Sequence, residues 1–82
     1  MVRADKLLER MRRNPKADWR IDQLKAIADR HGITYRQPGT SHVVFVCEGF
    51  GILTVPARRP IKPVYIGRFV AMIDAREERD AD

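Results

Sequence analysis

Three observations on this 82-residue chain predict an α+β fold, a three-stranded antiparallel sheet with helices on one face. The spacing of apolar residues follows the helical period up to His31, changes to the strand period of two between Ile33 and Val55, and returns to the helical period after Pro63. The strand-like runs are joined by short Gly-, Pro- and Ser-bearing segments, which allow antiparallel neighbours and leave no room for a parallel crossover. Apolar residues at 44 % and charged residues at 33 % suit one globular domain and exclude a disordered or collagen-like chain.

The elements follow in order. Residues 3–13 (RADKLLERMRR) form a short amphipathic helix with Leu7, Leu8 and Met11 on one side. Asn14 and Pro15 stop it, because the residue before a proline is pushed out of the helical region. A connector leads to a second helix over about 23–31, with Asp22 or Asp18 as N-cap, a stripe of Leu24, Ile27 and Ala28, and Gly32 as the left-handed residue that ends it. His31 in its last turn suits the negative end of the helix dipole. Residues 33–36, 42–47 and 52–55 are the strands, separated by the turn clusters Gln37-Pro38-Gly39-Thr40-Ser41 and Glu48-Gly49-Phe50-Gly51. Pro63 opens a last helix, since its missing N–H is one that helix starts leave unpaired anyway. Its core stripe is Ile66, Phe69, Val70 and Ile73, with Met72 at the margin. Residues 1–82 thus form a single domain: a helix and connector over 1–19, a core over 20–75 and a fraying polar tail over 76–82. The core order is the α-β-β-β-α of a double-stranded-RNA-binding fold, with one extra helix in front.

Charge points to the partner. The net charge is +5, but residues 73–82 hold five acidic residues against two arginines, so residues 1–72 carry +8. A small body that basic attracts polyanions over roughly 8–10 Å at physiological salt, and nucleic acid is the first expectation. The alternative is a solvated helical face of i,i+4 pairs, the reading preferred for the first helix. No apolar run approaches the ~18 residues of a membrane span, so no membrane partner is expected. The single cysteine, Cys47, the missing His/Cys cluster and the lack of a signal h-region fit a reducing cytoplasm, with no metal and no cofactor.

Two segments have the residues for chemistry. In the turn Gly39-Thr40-Ser41-His42, glycine permits close backbone approach and the hydroxyls of Thr40 and Ser41 can donate to phosphate oxygens. His42 opens the middle strand and can exchange a proton near neutral pH; otherwise it is a strand-end residue paired to backbone or water. Alternation puts His42, Val44 and Val46 on one face and Val43, Phe45 and Cys47 on the other, and the pattern does not decide which face meets the helices. The second segment, Arg58-Arg59-Pro60-Ile61-Lys62, leads into the start of the last helix, where Arg58 or Arg59 can grip a phosphate by two parallel hydrogen bonds and Lys62 adds a point charge. Cys47 reads as a core residue. Trp19 and Tyr35 read as packing residues, with base stacking the alternative.

Gly39-Thr40-Ser41-His42 with its alternating apolar run, then Leu53-Thr54-Val55-Pro56, then Ile61-Lys62-Pro63 before a helix containing Arg68, resembles the HicA-type mRNA interferase toxins of bacterial toxin–antitoxin pairs over roughly residues 20–75. The resemblance implies a double-stranded-RNA-binding-like fold, metal-independent endoribonuclease activity on mRNA, and neutralisation by a HicB-type antitoxin that covers the active surface. By match, His42 takes the catalytic position, Gly39 and Ser41 belong to its turn, and Arg58, Arg59 and Lys62 form the basic loop. Where the family commonly has a second histidine, after Val55-Pro56, this chain reads Ala57-Arg58-Arg59. The alternatives are a non-catalytic RNA-binding module and an antitoxin-binding interaction subunit on the same fold. The first helix is expected to pack on this domain or to join two copies as a homodimer.

Overall fold

The computed structural model describes the backbone of residues 3–81 and the side chains of 6–78. The elements are α1 (Arg3–Arg13), α2 (Ile21–His31), β1 (Thr34–Arg36), β2 (His42–Cys47), β3 (Gly51–Pro56) and α3 (Pro63–Ala81). The strands form one antiparallel sheet in the order β1-β2-β3. The architecture is α+β, as the change of period predicts.

Helix α2 starts earlier than expected and is capped differently. Arg20, in extended conformation, is the N-cap, and its N–H donates to Gln23 Oε1 at 2.9 Å. Asp22 therefore lies within the first turn, where a carboxylate favours the positive helix end without capping it. Asp18 caps nothing and pairs instead with Arg59. At the other end Gly32 has φ 72°, and the Ile33 N–H closes the turn on Ala28 O at 2.9 Å.

The middle strand decides which sheet face is covered. Val43, Phe45 and Cys47 are buried with Leu53 and Val55 of β3, and the Phe69 ring of α3 meets Phe45 edge-on at 5.1 Å. Tyr35 continues the aromatic line, 5.6 Å from Phe45, and its hydroxyl donates to Asp29 on α2. Burial first, then this bond to Asp29, raises the Tyr35 phenol above its ordinary pKa. The α3 stripe is Ile66, Phe69, Met72 and Ile73, all fully buried, while Val70 is only partly buried. Met72 and Val70 thus exchange the roles their spacing suggests. A stripe centred on Phe69 reaches Met72 and Ile73 one turn on, at i+3 and i+4, and leaves Val70 beside it.

Helix α1 packs on α2 and α3 within the same chain. Leu8 and Met11 join the core, and Trp19 of the connector is buried with its Nε1–H donating to Asn14 O at 2.8 Å. Arg12 grips Asp74 of α3 through two hydrogen bonds of 2.6 and 2.9 Å, which raise its pKa. The apolar side of α1 thus packs on its own domain.

Residues 76–81 are not a frayed end, because α3 continues to Ala81; Asp82 lies outside the described residues. The segment holds good helix formers and no Gly or Pro. It is also tied down: His31 Nδ1 lies 2.5 Å from Glu77 Oε2, and the Arg76 guanidinium covers Gly32.

Candidate functional site

The face opposite the helices is uncovered, and the register fixes what it displays. His42 stands across from Pro56; Arg36, Val44 and Thr54 form the next row; Thr34, Val46 and Ile52 form the third. His42, Arg36 and Thr54 are exposed. Val46 at 38 % exposure and Ile52 at 66 % leave an apolar pair at the far end of this face, next to the turn that carries Phe50, 44 % exposed. The site therefore has a polar, cationic end around His42 and a greasy end around Ile52.

The His42 turn is exposed yet anchored on both sides. Lys25 of α2 donates to Gln37 Oε1 at 2.7 Å, and Gln37 Nε2 donates to Thr40 O at 3.2 Å. On the other flank, the Ala57 N–H donates to Ser41 O at 2.7 Å. These bonds hold the backbone that presents the Thr40 and Ser41 hydroxyls, both open to solvent. Gly39 has no positive φ, and a Cβ there would meet nothing within 4 Å. Nothing among the described residues requires that glycine.

The bond between Ala57 and Ser41 also brings the basic loop to the histidine. Pro56, opposite His42, is followed directly by Ala57 and Arg58, so the loop starts beside the His42 turn. The loop is fixed by Ile61, which is buried and donates its N–H to Trp19 O at 2.9 Å. A pocket of about 430 Å³ opens here, lined by Pro56, Arg58, Arg59, Pro60, Lys62 and Tyr65.

The four cations of the site are not equivalent. Arg59 binds the Asp18 carboxylate through Nε and Nη2, at 2.9 and 2.5 Å to the same oxygen. This hydrogen bonding lowers the Asp18 pKa and raises that of Arg59. Of the two arginines expected to grip a phosphate, Arg59 is thus held by a carboxylate and Arg58 is not. Among the described residues, Arg58, Lys62 and Arg36 have no ion-pair partner. Arg36 is the residue the sequence reading missed; only its register position, beside Val44 and one row from His42, reveals it. Tyr35 and Trp19, the stacking alternatives, are packing residues on the covered side. Cys47 is buried.

Fold and site together define a small α+β domain whose open sheet face joins an exposed histidine to a cationic pocket. Compared with family models, curated proteins and solved structures, the chain matches none. Among the described residues no helix is long and apolar enough to cross a membrane, and no group of three or more His, Cys, Asp or Glu side chains is placed to hold a metal ion.

Proposed function

We propose that this chain is the toxin of a toxin–antitoxin pair, similar to the HicA-type interferases: a metal-independent endoribonuclease on a double-stranded-RNA-binding-like scaffold that cleaves mRNA in the cytoplasm. The observation that carries this reading is His42, exposed at the start of β2, one row from Arg36 and directly across from the residue that leads into the basic loop. RNA supplies its own nucleophile. The 2′-oxygen forms a bond to the adjacent phosphorus while the bond from phosphorus to the 5′-oxygen breaks, leaving a cyclic phosphate and a free 5′-hydroxyl. A proton leaves the 2′-hydroxyl and another reaches the departing 5′-oxygen; His42 handles one of these transfers and water the other. Arg36, Arg58 and Lys62 offset the charge that builds on the phosphorane oxygens.

The apolar end of the open face supports the second part of the reading, a HicB-type antitoxin as partner. Val46, Phe50 and Ile52 together expose more apolar side chain than isolated surface residues need, and a protein laid over them would also cover His42.

The deciding experiment compares wild type with His42→Ala on a single-stranded RNA in EDTA. Wild type is expected to cut and the variant to bind without cutting. Cleavage by the variant at the wild-type rate removes His42 from the mechanism. RNA binding by wild type without product on prolonged incubation makes the chain a non-catalytic RNA-binding module.

A further inference from the structure

The pocket beside the basic loop has a composition that phosphate alone does not explain. A site that binds only a phosphate needs cations and N–H donors. This one is lined by Arg58, Arg59 and Lys62, but also by two proline rings, Pro56 and Pro60, and the half-buried Tyr65 of α3. One aromatic ring flanked by apolar proline rings and next to cations suits a nucleotide, with a base that stacks and a phosphate that pairs. The volume, about 430 Å³, falls in the range of roughly 300–1,000 Å³ in which small ligands are held.

We infer that this pocket is a nucleobase subsite: one unstacked base of an RNA strand inserts against Tyr65 between the two prolines, and its phosphate lies on Arg58 and Lys62. Pro56 is shared. It lines the pocket and is the cross-strand neighbour of His42, so the nucleotide held here adjoins the linkage presented to the imidazole. Arg68, exposed and three residues beyond Tyr65 on the same helix, is a further cation on the Tyr65 side of α3. Arg59 also lines the pocket, but its guanidinium is engaged by Asp18. The substrate class follows. Bases in a duplex are stacked and cannot enter a side pocket, so the chain engages single-stranded RNA even though its layer order is that of a duplex-binding fold. This deepens the nuclease reading and rests on it for where the cut falls, but the subsite binds whether or not His42 cuts.

The test uses the full-length His42→Ala protein, so that cleavage plays no part, titrated with the four nucleoside 3′-monophosphates, ribose 5-phosphate and inorganic phosphate, while the Tyr65 ring and the Arg58 and Lys62 amides are followed by NMR. At least one nucleotide is expected to shift all three and to bind about tenfold or more tighter than ribose 5-phosphate. Tyr65→Ala is expected to remove that advantage and Tyr65→Phe to keep it, with Arg58→Ala weakening nucleotide and inorganic phosphate alike. Equal binding of phosphate and nucleotides, or nucleotide binding that leaves Tyr65 unmoved, overturns the subsite. Because Tyr65 is partly buried, circular dichroism melts of each variant accompany the titration; should Tyr65→Ala unfold, the Phe variant and the ligand series decide the outcome. Nucleotide binding by a protein whose wild type never cuts RNA would sink the nuclease reading and leave the subsite standing. Cleavage by wild type with equal binding of all these probes would do the reverse.

Discussion

His42 and Pro56 face each other across the first pair of the β2–β3 ladder, and both side chains point to the face that the helices leave open. That pairing joins an exposed imidazole on one strand to a cationic loop that starts two residues later on the next. The third contributor, Arg36, comes from β1 and is displayed by the same register. Arg36→Ala should therefore lower RNA affinity without lowering the melting temperature, since the side chain is exposed and has no ion-pair partner among the described residues. For a phosphate contact on a single strand, the slope of log affinity against log salt should flatten by about 0.7. Fluorescence anisotropy at several salt concentrations reads both numbers. An unchanged slope would place Arg36 off the path of the strand.

Asp18 and Arg59 give a prediction in pH. The folded carboxyl has a pKa below its ordinary 3.8, chiefly through its hydrogen bonds to Arg59. A depressed carboxyl contributes stability above its unfolded pKa, and that contribution disappears as pH falls through the folded value. The melting temperature of Asp18→Asn should thus lie slightly below wild type at pH 7 and converge with it as the pH drops below about 4. The pair is solvent-exposed, so the gap is small and should shrink in high salt. RNA affinity should move the other way. Releasing Arg59 adds a free guanidinium beside the pocket, and Asp18→Asn should bind RNA more tightly, with a steeper salt slope.

Two glycines separate what the fold needs from what a ligand needs. Gly32 has φ 72°, and a Cβ there would stand 3.1 Å from Arg76 Nη2. Gly32→Ala should destabilise by about 1–2 kcal/mol, read from urea unfolding. Gly39 has neither constraint. Gly39→Ala should leave stability unchanged or raise it by up to about 1 kcal/mol, because the unfolded chain loses freedom. If the phosphate backbone approaches this turn closely, the same variant should bind RNA less well. A variant that is both stable and fully competent would show that Gly39 serves no ligand.

Much of this fold was legible in the sequence, and what escaped did so for identifiable reasons. The run from His42 to Cys47 and the start at Pro63 carry local signals, β-branching and a missing N–H, and both lie where those signals put them. The covered face of β2 could not be read because Val44 and Val46 are as apolar as Val43 and Phe45; only the docking of Phe69 on Phe45 distinguishes them. The end of α3 was hidden by its polarity: its residues favour a helix, but the contact of Glu77 with His31, 46 residues away in sequence, leaves no local mark. In the site, His42 and Arg58 were visible as residue types in a pattern. Arg36 was not, because a three-residue strand carries little periodicity and its position beside Val44 is a matter of register. Nor was the loss of Arg59 to Asp18, a contact 41 residues apart that leaves no local mark.

The first helix supplies the last prediction. Met11 is fully buried and Leu8 nearly so, inside the core that also holds Leu24, Ile27 and Met72, and Arg12 clamps the same helix to Asp74. Met11→Ala should therefore cost about 2–5 kcal/mol, the range for truncating a buried methionine. Arg12→Ala, an exposed pair partner, should cost about 1 kcal/mol or less. Measured by urea unfolding, the ratio of these effects reports where α1 packs. If α1 instead joined two copies, the cost of Met11→Ala would shrink as the protein is diluted and both forms become monomers, and sedimentation would show a dimer that the substitution dissolves. A concentration-independent loss from a monomer places the helix on its own domain. Helix α1 lies against α2 and α3 and is absent from the rows that display His42 and Arg36. Destabilisation by Met11→Ala should then lower the folded fraction in proportion, while the residual folded protein binds RNA with wild-type affinity.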